Sequence, residues 1–233
     1  MYGYYYDSNY LPYIIISLVI SMYAHFKVRH AFNKYSKIKC SKGISGFQSA
    51  ETVLNYNKVS GVSVIRTKGH FTDFFDSRNN SISLSDDVYS KATVASVSVA
   101  AHESGHAVQN ARGYFPLKIR QFLVPVTRIG SNLAIPMVFI GLMLPVQYNF
   151  IVNLGIIIFA FAVLFQIVTL PVEFNASNTA LESLKGSGVL SEEEIKGAKS
   201  VLRAAALTYV AATFAALISL LRLIFIARRR NNF

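Results

Sequence analysis

A single cysteine, Cys40, stands in 233 residues, so no internal disulfide framework can staple this chain, which suits a reducing compartment. Charge is scarce: 15% of residues carry it, against roughly 25% in ordinary soluble chains. With 52% hydrophobic residues the composition excludes intrinsic disorder, which needs the opposite balance. Thirteen glycines and six prolines are too few for a collagenous or linker protein. Acidic residues number 12 against 23 basic ones, a net charge of +11. Such an excess suits either nucleic acid or a membrane surface. The chain has no recognisable nucleic-acid module, and its basic residues cluster beside long apolar runs. The membrane reading therefore takes precedence.

Four runs are apolar enough to span: 11–26 (LPYIIISLVISMYAHF), 129–148, 150–170 and 204–227, the last broken only by Arg222. A helix in a soluble core shows a polar position every third or fourth residue, and these show almost none. The first run could be a cleaved signal peptide, but what precedes it holds Asp7 and no Lys or Arg, so a retained anchor is expected. Tyr2, Tyr4, Tyr5, Tyr6, Tyr10 and Tyr13 suit an aromatic belt at headgroup level. Lys27, Arg29, Lys34, Lys37, Lys39 and Lys42 follow the first run, which places residues 27–128 in the cytoplasm by the positive-inside rule. A fourth crossing would carry Arg228, Arg229 and Arg230 outside, against the same rule; the longer basic loop is expected to prevail.

Between the runs lies a modest polar part. Residues 43–60 read as an amphipathic helix, 62–66 as a strand, and 71–75 with 82–84 as a hairpin around the polar turn DSRNNS. Residues 91–113 read as one helix of small side chains ending at Gly113. Another helix follows Pro171, and Ser191 with Glu194 makes a capping box for the last one. The expected fold class is mainly α: a polytopic helical membrane protein with a small α part carrying a short β hairpin. Its parts are 1–26 (N-terminal region and first transmembrane helix), 27–128 (the polar region with the helix at 91–113), 129–170 (transmembrane hairpin), 171–203 (helix and loop) and 204–233 (last transmembrane helix and basic tail).

The chemistry gathers at HESGH, residues 102–106, an instance of HExxH. Residues four apart on a helix share a face, so His102 and His106 can address one ion. Glu103 is turned by about 100° from His102, near enough to reach a water on that ion without ligating it. With this composition a chance HExxH is expected about three times in a thousand such sequences. The bland alternative is a pair of core histidines, which would leave a buried glutamate without a partner.

Catalytic zinc needs a third protein ligand and an open position. The longer HExxHxxGxxH form is absent, since Gln109 and Arg112 occupy its glycine and third histidine. His25, His30, His70 and Glu173 are the candidates. Glu173 follows the third run, and the hairpin of spans returns it to the same membrane face; a carboxylate so near hydrocarbon needs a partner such as a metal. Glu173 is the expected ligand, with His70 in reserve. Ser177, one turn on, could orient a ligand, or be a plain surface serine. Arg203 and Tyr209 are candidate oxyanion stabilisers from position alone. The strand at 82–84 could pair with extended substrate at its edge.

These segments resemble the YugP-type neutral zinc metallopeptidases of bacterial membranes: HESGHAVQ, PVEFNASNTAL after two close spans, LSEEEIKGAKSVLRAAALTYVAA, and FTDFFD with LSDDVYS upstream. The order of HExxH, two spans and a glutamate is also similar to that of HtpX-type membrane peptidases. The resemblance covers nearly the whole chain. It implies one zinc ion held by His102, His106 and Glu173, with Glu103 as catalytic base. Two departures stand out: Phe74 and Phe75 follow Asp73 where a His-Tyr pair is frequent, and Ser177 stands where HtpX-type enzymes carry an aspartate.

The expected function is that of an integral-membrane zinc endopeptidase. Glu103 would take a proton from a zinc-activated water, and the substrates would be membrane-associated proteins or peptides, in a role such as quality control. A multi-pass position in a bacterial cell membrane, with the lipid bilayer and no nucleic acid as partners, completes the expectation. The competing readings are a non-proteolytic metal-binding membrane protein (a sensor or scaffold) and a small transporter with an incidental HExxH. Glu103 separates the first, because a mere binding site has no use for it. The second wants polar groups within the spans, where Arg222 is the one charge.

Overall fold

The computed structural model of the chain describes residues 11–70 and 72–231; Tyr2, Tyr4, Tyr5, Tyr6, Tyr10 and Phe71 fall outside them. The described chain is mainly helical, with one small sheet. Its elements run α1 (Leu11–Tyr35), α2 (Gly46–Tyr56), β1 (Ser63–Thr67), β2 (Phe74–Asp76), β3 (Ser81–Ser85), α3 (Asp86–Tyr89), α4 (Val94–Ala111), α5 (Phe115–Met143), α6 (Asn149–Gly186) and α7 (Glu192–Asn231). A 3-10 turn, Val146–Tyr148, joins α5 to α6. The chain divides into two compact units, one of residues 25–118 and 170–208, the other of the remaining segments.

The first unit is built around α4. Its N-cap is Thr93, whose side chain accepts from Ser96 N, and Gly113, at φ +64°, takes the left-handed turn just past its end. Small residues cover the helix, so neighbours approach from two sides. On one side Val97, Ala101 and Val108 join Cys40, Val53, Ala180, Leu184, Ala198 and Leu202. On the other, Ala100 and Ala107 meet Ala50, Leu54, Ile82, Leu84 and Val88. Each large aliphatic side chain buried this way contributes roughly 1.5–3 kcal/mol. The serines that α4 buries satisfy themselves locally: Ser98 Oγ donates to Val94 O at 2.6 Å and Ser104 Oγ to Ala100 O at 2.9 Å.

α2 starts with a capping box of Ser45 and Gln48, and α7 with another, in which Ser191 N donates to Glu194 at 2.7 Å and Glu194 N to Ser191 Oγ at 3.3 Å. Glu194 also accepts from Ser41 N at 2.5 Å, which ties the loop after α1 to the start of α7.

The sheet corrects one expectation. The hairpin is present, with Phe75 opposite Ile82, but β1 pairs in parallel with β3, Val64 opposite Ile82. The order is β1-β3-β2, so β3 is the central strand and all five of its residues are buried. Residues 82–84 therefore offer no free edge to a substrate, because β1 and β2 occupy both sides.

The second unit is a helical bundle. α5 and α6 pack through glycine: a Cβ on Gly155 would meet Val138 Cγ2 at 2.7 Å, and one on Gly141 would meet Val152 N at 2.9 Å. Arg230, at the end of α7, donates to the carbonyls of Gly141 and Leu144, which the end of α5 leaves open. Phe139, Phe150, Phe161 and Leu221 are exposed, as befits side chains meant for hydrocarbon rather than water.

Among the described residues, three stretches are long and apolar enough to cross a membrane: Leu11–Tyr35, Val146–Gly186 and Glu192–Arg230. The sequence reading expected four. The second expected span lies in α5, whose described apolar stretch, Asn132–Met143, is shorter than a crossing needs.

Candidate metal centre

Two helices position the centre. α4 carries His102, Glu103 and His106, and α6 carries Glu173, Asn175 and Ser177. Their close approach depends on Gly105, where an added Cβ would lie 2.4 Å from the carbonyl oxygen of Ala176. The sequence places that glycine between the two imidazoles and sets Ala176 between Glu173 and Ser177. This close backbone contact between α4 and α6 thus falls in the middle of the cluster.

His102 Nε2 lies 3.1 Å from Glu173 Oε2, and His106 Nε2 lies 3.7 Å from the same oxygen. One ligand atom from each of His102, His106 and Glu173 lies within 4.8 Å of the other two. Glu173 is 1% exposed and His106 8%, so water does little to screen the carboxylate. The two rings meet edge to face, with centroids 4.8 Å apart.

The other nitrogen of each ring is held from behind. His106 Nδ1 is 3.0 Å from Gln109 Oε1. The Gln109 amide can point only one way, because its Nε2 donates to Val172 O at 2.7 Å and to Asn175 Oδ1 at 2.9 Å. Oε1 must therefore accept, Nδ1 of His106 must carry the proton, and the Nε2 lone pair faces Glu173. Ser177 Oγ sits 3.2 Å from His102 Nδ1 and steadies the second ring, as a hydroxyl able to donate or accept.

Lone pairs of two imidazoles turned toward a buried carboxylate repel unless a cation stands between them. A proton can serve: although burial works against charge on His106, its hydrogen bond to Glu173 and the charges of Glu103 and Glu173 outweigh that and raise its pKa. A metal serves better. Tetrahedral zinc with bonds near 2.1 Å separates its ligand atoms by about 3.4 Å, and the two separations from Glu173, 3.1 and 3.7 Å, bracket that value. Two imidazoles and a carboxylate are also an ordinary donor set for catalytic zinc. The residues fit the ion.

Glu103 is half-buried on the next flank of α4. Burial pushes its carboxyl above the ordinary carboxylate range; the imidazoles oppose the shift, and the charges of Glu173 and Asp73 add to it. Asp73 accepts from Ser85 N at 2.7 Å and from Ser85 Oγ at 3.0 Å, locking the start of β2 to the end of β3.

His70, the reserve ligand, is exposed and sits 2.6 Å from Asp87. Arg203 lines a different cavity, whose walls include none of His102, His106 or Glu173. Tyr209 belongs to the helical unit, where its carbonyl accepts from Thr213 Oγ1 at 2.9 Å. Sequence reading noticed Gln109 as the residue replacing a glycine and missed its part in holding His106. The signal available was its position three residues beyond a histidine on one helix. Asn175 was missed as well, and nothing local marks it.

A family profile described as "Putative neutral zinc metallopeptidase" matches residues 10–228. The curated protein named "Putative membrane protease YugP", from Bacillus subtilis (strain 168), is 42% identical over 220 residues, which cover 94% of this chain and 97% of that protein. No solved structure matches.

Proposed function

Since the chain belongs to the "Putative neutral zinc metallopeptidase" family, we propose that it is an integral-membrane zinc-dependent endopeptidase. The observation that carries this reading is the convergence of His102, His106 and Glu173 beside Glu103. His102 and His106 would hold zinc through Nε2, with Glu173 as the third ligand. Bound there, zinc would lower the pKa of a water and polarise a scissile carbonyl.

The chain's own residues supply the rest. Glu103, with its basicity raised by burial, takes a proton from the attacking water and returns it to the leaving nitrogen. Gln109 fixes the His106 tautomer, which keeps that Nε2 available, and Ser177 steadies the His102 ring while Glu103 turns over. A pure binding site would have no use for a buried, proton-accepting carboxylate beside its first ligand, and this favours hydrolysis over a sensor or scaffold.

Three apolar helices and the likeness to a membrane protease make this a membrane protein. The basic residues after the first span support a cytoplasmic catalytic part and a place in a bacterial cell membrane. Substrates would then be proteins or peptides at or in the bilayer, in keeping with a quality-control role. The deciding test is metal analysis of full-length protein purified in detergent, beside a casein-cleavage assay. About one zinc per chain, with cleavage abolished by 1,10-phenanthroline and restored by added zinc, is the expected result. Metal-free protein that still cleaves casein would refute the reading.

A further inference from the structure

Four basic side chains border one hollow. Lys196, Lys199, Ser200 and Arg203 recur at helical spacing along α7 and so form one stripe. With Lys27 of α1 and Ala204 they line a cavity of about 330 Å³ that has no acidic side chain in its walls. Glu193, one turn before the stripe, holds Lys196 at 2.6 Å from outside the cavity.

A Cβ on Gly197 would come within 2.7 Å of the Tyr35 ring, so α1 and α7 approach closely there.

Several cations around one concavity repel one another, and a bound anion relieves that repulsion. The lining suits a phosphate: the Arg203 guanidinium can offer two parallel N–H groups, Ser200 a hydroxyl, and Lys199 a point charge on a flexible stem. Position in the chain says which phosphate. Lys27 is the first charged residue after the apolar run 11–26, and Arg203 immediately precedes the apolar run that begins at Ala204. Both belong where hydrocarbon gives way to headgroups, the level at which basic pockets take anionic lipid.

We propose that this cavity binds the phosphate of an anionic phospholipid headgroup. The assignment rests on the chain being a membrane protein and is independent of the peptidase reading. Full-length protein would be reconstituted in nanodiscs of phosphatidylcholine doped with phosphatidylglycerol, and the lipid retained after mild detergent extraction counted by native mass spectrometry. Wild type should retain phosphatidylglycerol in preference to phosphatidylcholine. Lys199→Ala with Arg203→Ala should weaken that retention by about tenfold or more, whereas Lys199→Arg with Arg203→Lys should keep it. Removing the same charge at two exposed positions outside the cavity, Lys37→Ala with Lys68→Ala, should leave it unchanged. Melting temperature in detergent reports whether each variant has folded, and Lys199→Gln alone carries the comparison if the double variant has not. Equal retention in wild type and the cavity variant overturns the proposal, as does an equal loss in the control. Displacement of the lipid by millimolar inorganic phosphate or by a phosphopeptide, sensitive to the same cavity variant, would assign the hollow to a soluble anion and overturn the lipid assignment.

Discussion

Gly105 of α4 faces Ala176 of α6 so closely that a side chain on the glycine would lie 2.4 Å from the carbonyl oxygen and 3.0 Å from the carbonyl carbon. Both are backbone atoms and cannot swing aside. Gly105→Ala should therefore push the helices apart where Glu173 and Ser177 reach the imidazoles. Overpacking of this kind costs roughly 1–3 kcal/mol, and the metal ligands should separate with it. We expect a lower melting temperature in detergent and at least a tenfold loss of zinc affinity by chelator competition, of the order that follows disturbed ligand support. Wild-type affinity in this variant would show that the close approach does not set the ligand spacing.

Gln109 links three partners, and its loss should be felt at the metal. Gln109→Leu removes the acceptor for His106 Nδ1 and the side-chain donor that ties α4 to Val172 O and Asn175 Oδ1 of α6. Zinc affinity should fall about 10- to 100-fold, the usual effect of removing a group that orients a metal ligand. Ser177→Ala should cost less, because a hydroxyl at 3.2 Å is a weaker anchor and leaves no buried amide behind. Competition with a chromogenic zinc chelator ranks the two, and a larger loss in Ser177→Ala would reverse this account of which ring is held more firmly.

How much of this could be read in the sequence follows from the range of each interaction. The pairing of His102 with His106 is one helical turn, a purely local matter. Glu173 and Ser177 were reachable because a short hairpin of apolar segments must return the chain to the face it left. The capping boxes at Ser45 and Ser191 repay the same local reading, although the first was not singled out. What escaped depends on partners fixed by the fold alone. The parallel pairing of β1 with β3 has no turn to announce it, and it cancels the free edge expected at residues 82–84. Gln109 matters through a carbonyl 63 residues away, a group that every residue possesses and that no pattern distinguishes. The basic stripe on α7 was visible as membrane-flanking charge, but the hollow also needs Lys27 of α1, which only the fold brings beside it.

Cys40 should resist alkylation until the protein opens. Burial, followed by the charge of Glu194, pushes its thiol up to about 11. Near pH 8 about one thiol in a thousand is then the reactive thiolate. Iodoacetamide labelling of folded protein should be slow and should accelerate sharply in denaturant. The shift also sets a sign: the unfolded thiol ionises at its ordinary value while the folded one stays protonated, so stability is full below that value and declines as pH rises toward the folded one. Melting temperatures of wild type and Cys40→Ala should converge as pH rises from about 9 to about 11, the span between the two pKa values. Rapid labelling of the native protein would contradict a buried, proton-bearing thiol.

The two acids of the centre should fail in different ways, and the difference tests their roles. Glu103→Gln keeps the shape and the polar contacts of the side chain but cannot accept a proton. Its zinc content should match wild type while casein cleavage falls by about 100- to 10,000-fold, the range that general acid–base catalysis supplies. Glu173→Ala removes a side chain that is 1% exposed and sits against both imidazoles. Here the metal itself should be lost, and cleavage with it, and excess zinc should recover part of the activity because the two imidazoles remain. Glu173→Asp keeps the charge but shortens the reach by one methylene, so weakened binding rather than none is expected. Metal analysis beside the cleavage assay separates the outcomes. Cleavage surviving in Glu103→Gln removes that residue from the proton transfer, and full zinc occupancy in Glu173→Ala passes the third ligand position to another group. A variant pair in which both lose zinc equally would mean that Glu103 holds the metal rather than the proton.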